Sequence, residues 1–482
     1  MTQCDSLVLE SDPKPFWGVG EVLKLSIPTA LGMINSTVMQ FVDGLMVAQI
    51  RPGGAEALSA QFSGYILAFV PLALMLGTLT VVNTFVAQNY GARRLQRCSQ
   101  YTWAGLVLAV AWSGLMMSLL PAAPGIFAAV GHGPAIRPLE VMYFRYMIAG
   151  QVLFLGRTVL EEFFYGTQRP AIVYVVSVAA NAVNFVAALG LIFGHWGLPA
   201  LGLEGAAIAT LIGQAAGVVI LAAFFLGGHT RRLYDSRHQF RVHLRQILDL
   251  LRIGWPAGFQ MSFDILGWAL CITLLVGNIA TIGGVPSPDA GTIQLTASTV
   301  AMRYEQLAFM PAIGISIAAT ALVGRYIGEK KPHLAQRRVY AALVLAVGYM
   351  GLCGLSFWFW RQGLIRFYLT LDQPSDAALV GQIVRVGGWV LIIGAIFQVF
   401  DATGIIFIGA LRGAGDTLWP MVVSAVLNLS IILGGGYLML HLFPRLESLG
   451  VWMACAAYVI ILGVVMLARF RAGKWRRINL LA

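Results

Sequence analysis

Three aspartates lie inside long apolar stretches of this chain. Asp264 and Asp401 are near the middle of two stretches in the second half, and Asp43 lies in the first stretch. A carboxylate at the centre of a bilayer costs about 3 kcal/mol on insertion scales, so such residues usually face a cavity and bind something. A proton or a cation removes the charge that makes burial unfavourable. The aspartates therefore predict cation binding inside a membrane.

Further charged residues occur in the same kind of apolar surroundings. Arg303 and Glu305 are two positions apart, so they point in different directions on a helix, and either is a candidate charge of a cavity. If Arg303 reaches one of the aspartates, it competes with a bound ion for that carboxylate. The alternative is that Arg303 and Glu305 form a pair whose side chains extend to the membrane surface. Arg157 and Glu161 are four apart, a spacing that favours a structural ion pair.

Four phenylalanines flank the two aspartates of the second half by one to five positions: Phe259, Phe263, Phe397 and Phe400. An aromatic face attracts an organic cation, so these side chains are candidate substrate contacts. Packing and anchoring at the lipid interface are the more frequent uses of aromatic residues in membrane proteins.

The composition indicates that the carboxylates are positioned by membrane-spanning helices. Hydrophobic residues make up 58% of the 482 residues and charged residues only 11%, against about 45–50% and about 25% in soluble domains. Each of twelve apolar runs is long enough to span a bilayer as a helix. The runs cover residues 22–50, 58–86, 100–121, 139–165, 171–194, 204–227, 248–279, 294–323, 339–360, 379–410, 418–442 and 449–468. The sequence therefore predicts an all-α integral membrane protein with twelve transmembrane helices.

The distribution of basic residues predicts the orientation. Lys and Arg concentrate in the N-terminal arm, in the loops that follow even-numbered runs and in the C-terminal tail. Basic loops stay on the cytoplasmic side, so we expect both termini in the cytoplasm and the protein in the inner (plasma) membrane. This asymmetry explains most of the net charge of +11 without a nucleic-acid partner. Membrane lipids and a small organic substrate are the expected partners, and the chain is expected to be a monomer.

The chain divides into two similar halves. One spacing occurs in both halves: the first half has Gly77, Gln88 and Gly91, and the second half has Gly314, Arg325 and Gly328. Each half has six runs, so both halves enter the membrane from the same side, as parallel repeats do. We therefore predict a cytoplasmic N-terminal arm (1–21), an N lobe (22–228), a basic cytoplasmic linker (229–247), a C lobe (248–468) and a basic cytoplasmic tail (469–482).

Two motifs occur at the ends of predicted helices. The run Val86-Ala87-Gln88-Asn89-Tyr90-Gly91-Ala92 ends the second helix. The tenth helix has Phe397-Gln398-Val399-Phe400-Asp401, followed by Leu411-Arg412-Gly413-Ala414-Gly415-Asp416-Thr417. These motifs resemble those of the multidrug and toxin extrusion (MATE) transporters, NorM-like branch. The resemblance implies two six-helix lobes forming a V, alternating access, and export of organic cations in exchange for sodium ions or protons. No other cofactor is implied.

The resemblance also assigns residues to the coupling site. The branch has an acidic residue on helix 7 and an aspartate on helix 10, which match Asp264 and Asp401. Its N-lobe site has an aspartate and an asparagine, which match Asp43 and Asn184. A second polar or acidic position of that site falls on Ala188, which has no ligating atom. Cation coupling, including any sodium ion, is therefore expected at Asp264 and Asp401.

Two other functions compete with cation-coupled export. A lipid-linked precursor flippase of the same superfamily needs a cationic cavity for pyrophosphate, whereas the charges within these runs are mostly acidic. A membrane-embedded enzyme needs a nucleophile, a base or a metal cluster. The sequence has no HExxH, GxSxG or phosphate-loop pattern, and its cysteines lack metal-ligand spacing. We therefore expect a transporter without a catalytic residue.

Overall fold

A computed structural model describes residues 18–130, 133, 136–277, 279, 290–372, 377–478 and 480. The regular structure within these residues is helical throughout, which confirms the all-α class. Most of the predicted N-terminal arm and the end of the predicted tail lie outside the described residues, and the division into five domains stays a prediction.

The α-helices follow one another in a fixed order along the two halves. The first half contains α1 (Val19–Ala48), α2 (Gly54–Leu79), α3 (Val81–Gly91), α4 (Leu95–Met116), α5 (Ala123–Val130), α6 (Arg137–Ala149), α7 (Gln151–Gly166), α8 (Pro170–Phe193), α9 (Leu203–Leu226) and α10 (Gly228–Tyr234). The second half contains α11 (Leu244–Leu270), α12 (Ala290–Gly328), α13 (Pro332–Asp372), α14 (Ala377–Ala414), α15 (Leu418–Leu427), α16 (Gly436–Leu442) and α17 (Ser448–Arg471).

Eleven helical segments within the described residues are long and apolar enough to cross a membrane. The fourth predicted run, 139–165, differs because it is divided into α6 and α7 at Gly150. Glycine disfavours a helix interior, and a Cβ at Gly150 would lie 2.1 Å from Leu211 of α9. This span also has charged residues at Arg145, Arg157 and Glu161, which lower its hydropathy.

Each half has its own packed core. The C-terminal half has one large cluster that includes Phe407, Trp452 and Phe470, whereas the N-terminal half has two smaller clusters, around Phe163 and around Phe144. Helices in lipid gain little from the hydrophobic effect against one another, so close packing and interhelical hydrogen bonds hold such bundles together. The large cluster also includes Val22 and Leu25 of α1, and the Phe163 cluster includes Leu250 and Ala257 of α11, so the halves share packed residues where they meet.

Glycines make the contact between the halves very close. A Cβ at Gly91 would lie 2.0 Å from the Arg325 carbonyl oxygen, and a Cβ at Gly328 would lie 2.1 Å from the Gln88 carbonyl oxygen. These two contacts are reciprocal, because Gly91 and Gly328, like Gln88 and Arg325, occupy equivalent positions of the two halves. The reciprocity is the geometry expected of two parallel repeats related by an approximate two-fold axis.

A second reciprocal contact lies between other helices of the two halves. A Cβ at Gly77 of α2 would lie 2.7 Å from the Ala257 carbonyl oxygen of α11. A Cβ at Gly314 of α12 would lie 2.6 Å from the Ala30 Cα of α1, and the Thr29 hydroxyl donates a 2.8 Å hydrogen bond to the Gly314 carbonyl oxygen. The pairs α2–α11 and α1–α12 therefore form equivalent sides of one interface.

Polar groups join the halves at the end of the bundle where α1 begins and α12 ends, which we name the basic end. Glu21 of α1 accepts from Arg338 Nε at 2.6 Å, from Arg325 Nη1 at 3.2 Å and from the Tyr326 hydroxyl at 2.8 Å. Arg325 also donates to Gln168 Oε1 at 2.7 Å. One carboxylate of the first half therefore holds two guanidinium groups of the second half.

Candidate functional site

Three carboxylates from three helices of the second half form the candidate site. They are Asp264 on α11, Glu305 on α12 and Asp401 on α14. Asp401 interacts electrostatically with both other carboxylates. The structure therefore brings together the two aspartates that the sequence predicted to share a site, and it adds Glu305 of the predicted cavity charges.

Hydroxyl groups from two further helices surround Asp264. The Ser424 hydroxyl of α15 donates a 2.7 Å hydrogen bond to Asp264 Oδ1, and the Tyr458 hydroxyl of α17 donates to the same oxygen at 3.0 Å. The two hydroxyl oxygens are 3.1 Å apart. Hydrogen bonds to an ionised carboxylate are the strong ones, so this shell partly replaces the water that the carboxylate loses.

Two π-helical segments lie beside this shell. One follows α11 at Cys271–Val276 and the other follows α15 at Asn428–Gly435. Asn428 Nδ2 donates a 3.3 Å bond to the Phe263 carbonyl oxygen. A Cβ at Gly267 would lie 1.9 Å from the Asn428 amide oxygen. The glycine thus makes room for Asn428 next to the site, and π-helical turns of this kind are frequent at functional sites.

Glu305 is bound by one side chain of α14. Gln398 is fully buried, and its Nε2 donates a 2.6 Å hydrogen bond to Glu305 Oε2. The other carboxylate oxygen of Glu305, Oε1, packs against Gly394 and would lie 1.9 Å from a Cβ at that position. Neither Glu305 Oε1 nor Gln398 Oε1 has a hydrogen-bond partner within the described part of the chain.

Basic side chains do not compensate these carboxylates in the described residues. The ion pairs found there involve other acidic residues, and Asp401 has neither an ion-pair nor a hydrogen-bond partner in the ranges that the structure describes. Arg303 has an exposed side chain and forms no ion pair with Asp264 or Asp401 there. Among the described residues, the site therefore carries up to three negative charges, of which Asp264 and Glu305 accept hydrogen bonds and none has a basic partner.

The four candidate aromatic contacts are in different environments. Phe259 is 40% exposed and its ring lies 6.1 Å from that of Phe263, whereas Phe397 is buried in the core of its half. Phe400 packs partly against that core, and its carbonyl oxygen would meet a Cβ of Gly463 at 2.5 Å. Phe259 is therefore the member of this group with the most exposed aromatic surface.

The first half contains a smaller polar centre. Asn184 Nδ2 of α8 donates a 3.4 Å hydrogen bond to Asp43 Oδ2 of α1, while Asn184 Oδ1 is buried without a partner in the described region. Gly213 of α9 packs against Asn184, where a Cβ would lie 2.6 Å from the Asn184 Cβ. Ala188, one turn away, is buried in the core. The structure brings the two predicted N-lobe residues together with a single carboxylate.

Four residues of the site were not predicted from the sequence: Ser424, Asn428, Tyr458 and Gln398. Ser424 and Asn428 are four apart within an apolar run, so their shared helix face was a signal that could have been found. Gln398 lies in the motif that ends at Asp401. Tyr458 is a single hydroxyl in the last run, and no local pattern distinguishes it from a packing residue.

The donor set of the site consists of carboxylate, hydroxyl and amide oxygens. Such oxygens suit protons and hard cations rather than soft transition metals. In the described ranges, no three His, Cys, Asp or Glu side chains converge on one point as a metal site requires. Among the described residues, the three carboxylates therefore do not form one cage of acidic ligands.

Comparisons with known proteins agree with this architecture. The family model described as MatE matches residues 28–190 and 270–437, which is more than half of the chain. A probable multidrug resistance protein NorM from Mesorhizobium japonicum (strain LMG 29417 / CECT 9101 / MAFF 303099) is 27% identical over 467 residues, with 95% of each chain covered. The multidrug resistance protein NorM of Burkholderia vietnamiensis is 28% identical over 456 residues, with 93% of each covered.

Solved structures show the same fold. A multidrug resistance MATE family transporter of the MOP superfamily, described as outward-facing, superimposes with a TM-score of 0.80 at 20% identity, covering 95% of this chain and 97% of that one. A MOP superfamily transporter from Pyrococcus furiosus, described as having a binding pocket of reverse polarity, gives a TM-score of 0.82 at 20% identity with the same coverage.

Proposed function

This chain belongs to the MatE family, and from that premise we propose that it is an antiporter that exports organic, cationic amphiphilic compounds in exchange for sodium ions or protons. The curated relatives are named as multidrug resistance proteins. The family membership supports a transporter and not an enzyme.

The observation that supports this function best is the uncompensated acidic site of the second half. Asp264 and Asp401 interact across the site, and the described residues supply hydroxyls to Asp264 but no basic side chain to either aspartate. Ionised carboxylates away from water are unfavourable unless positive charge is nearby. A coupling cation and a cationic substrate both meet this requirement, so each can displace the other.

The interface between the halves suggests how exchange becomes transport. The halves are held together at the basic end by the glycine contacts and by Glu21. By the positive-inside rule, this end faces the cytoplasm, with both termini there and the protein in the inner (plasma) membrane. Binding of a cation at Asp264 and Asp401 releases the substrate outside, and separation of the halves at the basic end then exposes the site to the cytoplasm.

The chemistry of the site disfavours the alternative of a lipid-linked precursor flippase. A pyrophosphate group needs basic side chains or helix N-termini that offer hydrogen-bond donors. The described site instead offers carboxylates to its ligand. The nearby hydroxyl donors are already hydrogen-bonded to Asp264.

The test is transport into proteoliposomes of a fluorescent organic cation, driven by an imposed sodium or proton gradient. We expect Asp264→Asn and Asp401→Asn to lose gradient-driven transport by at least about tenfold, because neutral side chains no longer exchange one cation for another. Asp249→Asn removes a carboxylate of the same helix α11 that binds Tyr101, outside the site, and should transport normally. Full gradient-driven transport by both site variants would contradict the proposal.

A further inference from the structure

We propose that the second half contains another cation subsite, built from Glu305, Gln398 and Asp401, beside the one around Asp264. Its ligand is a monovalent inorganic cation, either a sodium ion or a proton. The inference deepens the proposed function, since it concerns how many cations accompany each exported molecule, and it rests on that function.

The first support is the pair of buried acceptors without partners. Gln398 has no exposed surface. Its Nε2 donates a 2.6 Å hydrogen bond to Glu305 Oε2, and this bond directs the side chain toward the carboxylate. Its amide oxygen and the second oxygen of Glu305 are both buried and unpartnered in the described part of the chain. Buried acceptors normally have a donor or a cation, so two linked acceptors indicate that a positively charged ligand binds between them.

The second support is the register of α12 against α14. The Ser316 hydroxyl donates to the Ile405 carbonyl oxygen and the Thr320 hydroxyl to the Gly409 carbonyl oxygen, each at 2.8 Å. The two helices therefore run parallel, and the same register places Glu305 level with Gly394, where their contact is observed.

The face of α14 then leads from Glu305 to Asp401. Gly394, Gln398 and Asp401 are spaced four and three residues apart, so they lie on one face of the helix. The rise from Gly394 to Asp401 is about 10 Å, at about 1.5 Å per residue. Gln398 lies between the two carboxylates, and these interact electrostatically.

The third support is the separation of this subsite from the shell of Asp264. Asp264 is held by Ser424 and Tyr458, from α15 and α17, whereas Glu305 is held by Gln398 from α14. The described side chains do not form a cage of three acidic ligands. Asp401 interacts with both sides, so it connects two subsites.

The groups around Glu305 do not offer a competing positive charge. From α13, Cys353 interacts with Glu305, and Gly354 packs against Gln398, where a Cβ would lie 3.5 Å from the Gln398 Cβ. From α14 the charged neighbour is Asp401. Arg303, on the same helix as Glu305, has an exposed side chain. A bound cation is therefore the simplest means of charge balance at Glu305.

The test measures how many cations are coupled to each exported molecule, using the reversal potential of dye-cation flux in proteoliposomes with separate sodium and proton gradients. Glu305→Gln keeps the shape of the side chain but not its charge. We expect this variant to export with one coupled cation fewer than the wild type. Gln398→Met should keep the wild-type ratio but raise the half-saturating ion concentration by about tenfold, since one amide ligand is lost.

The controls separate this inference from protein stability and from the proposed function. Gln151→Met replaces another fully buried glutamine, in the first half, and should leave the ion dependence unchanged. An unchanged ratio in an active Glu305→Gln variant overturns the second subsite. Complete loss of coupling in a monodisperse Glu305→Gln variant also overturns it, because the carboxylates then act as one site. Normal coupled export by both Asp264→Asn and Asp401→Asn would instead overturn the proposed function.

Discussion

A single tyrosine and a single serine determine the surroundings of Asp264. Both hydroxyls donate to the same carboxylate oxygen, and they come from helices that are distant in sequence. The acidic residues could be predicted from the sequence because a charge inside an apolar run is conspicuous. Tyr458 could not, because its role depends on the packing of α17 against α11, which no local pattern encodes.

The residue-scale prediction concerns these hydroxyls. Tyr458→Phe removes one donor to Asp264 with little change in volume, and Ser424→Ala removes the other. Each should lower the half-saturating cation concentration about tenfold or more, because the hydroxyl stabilises the ionised, cation-free carboxylate by about 1.5–3 kcal/mol, and without it the carboxylate binds a cation more tightly. Ion-dependent transport of the dye in proteoliposomes measures the change.

Ser430→Ala is the matched control for this prediction. Ser430 lies in the π-helical segment after α15, and its hydroxyl bonds only the Val426 carbonyl oxygen of its own turn. Wild-type ion dependence in Tyr458→Phe and Ser424→Ala would show that the two hydroxyls do not contribute to the binding of the cation.

Helix by helix, the sequence predicted the membrane spans well but not their interruptions. The break at Gly150 and the π-helical segments after α11 and α15 lie at tertiary contacts, where Gly150 packs against Leu211 and Gly267 packs against Asn428. The repeated Gly and Gln or Arg positions of the two halves were visible as a spacing. The contact between backbones that these positions form could be seen only in the structure.

The element-scale prediction tests that contact. Gly328→Ala places a methyl group about 2.1 Å from the Gln88 carbonyl oxygen, so the two backbones must separate. We expect a cost of about 1–3 kcal/mol, as for other overpacked sites. Gln96 and His333 are exposed positions of opposite halves. Spin labels there should report a longer distance in Gly328→Ala than in the wild type, measured by double electron–electron resonance.

Gly348→Ala provides the comparison, because a Cβ at that position of α13 meets nothing within 4 Å. It should leave the distance between the labels unchanged. Equal distances in the Gly328→Ala and wild-type proteins would mean that the halves do not depend on this contact.

At the scale of the whole molecule, the two halves contact each other through reciprocal glycines and, at the basic end, through Glu21. Composition and the repeat predicted two six-helix units, since both features follow from hydropathy and spacing. The ionic contact of Glu21 with Arg325 and Arg338 was outside what the sequence could show, because these residues are some 300 positions apart and join only when the halves pack.

The prediction at this scale is that Glu21→Gln favours separation at the basic end. The change leaves two guanidinium groups of the C-terminal half near one another without their common carboxylate. We expect a loss of about 1–3 kcal/mol of interface stability. The distribution of label distances between Gln96 and His333 should broaden toward longer values.

Glu329→Gln is the matched control, since Glu329 pairs with Arg325 of the same half at 2.7 Å. Its label distances should equal those of the wild type. If Glu21→Gln and Glu329→Gln give the same narrow distribution, the carboxylate of α1 does not hold the halves together.

The reciprocal glycine contacts have a consequence for how the molecule moves. Because α1–α12 and α2–α11 are equivalent sides of one interface, neither side is a natural hinge about which the other could swing. A rotation that opens the basic end must loosen the α1–α12 and α2–α11 contacts together, about an axis midway between them. For the proposed transport cycle, this predicts that the halves rock symmetrically as rigid bodies, so a ligand that stiffens the contact between α1 and α12 also slows the separation of α2 from α11.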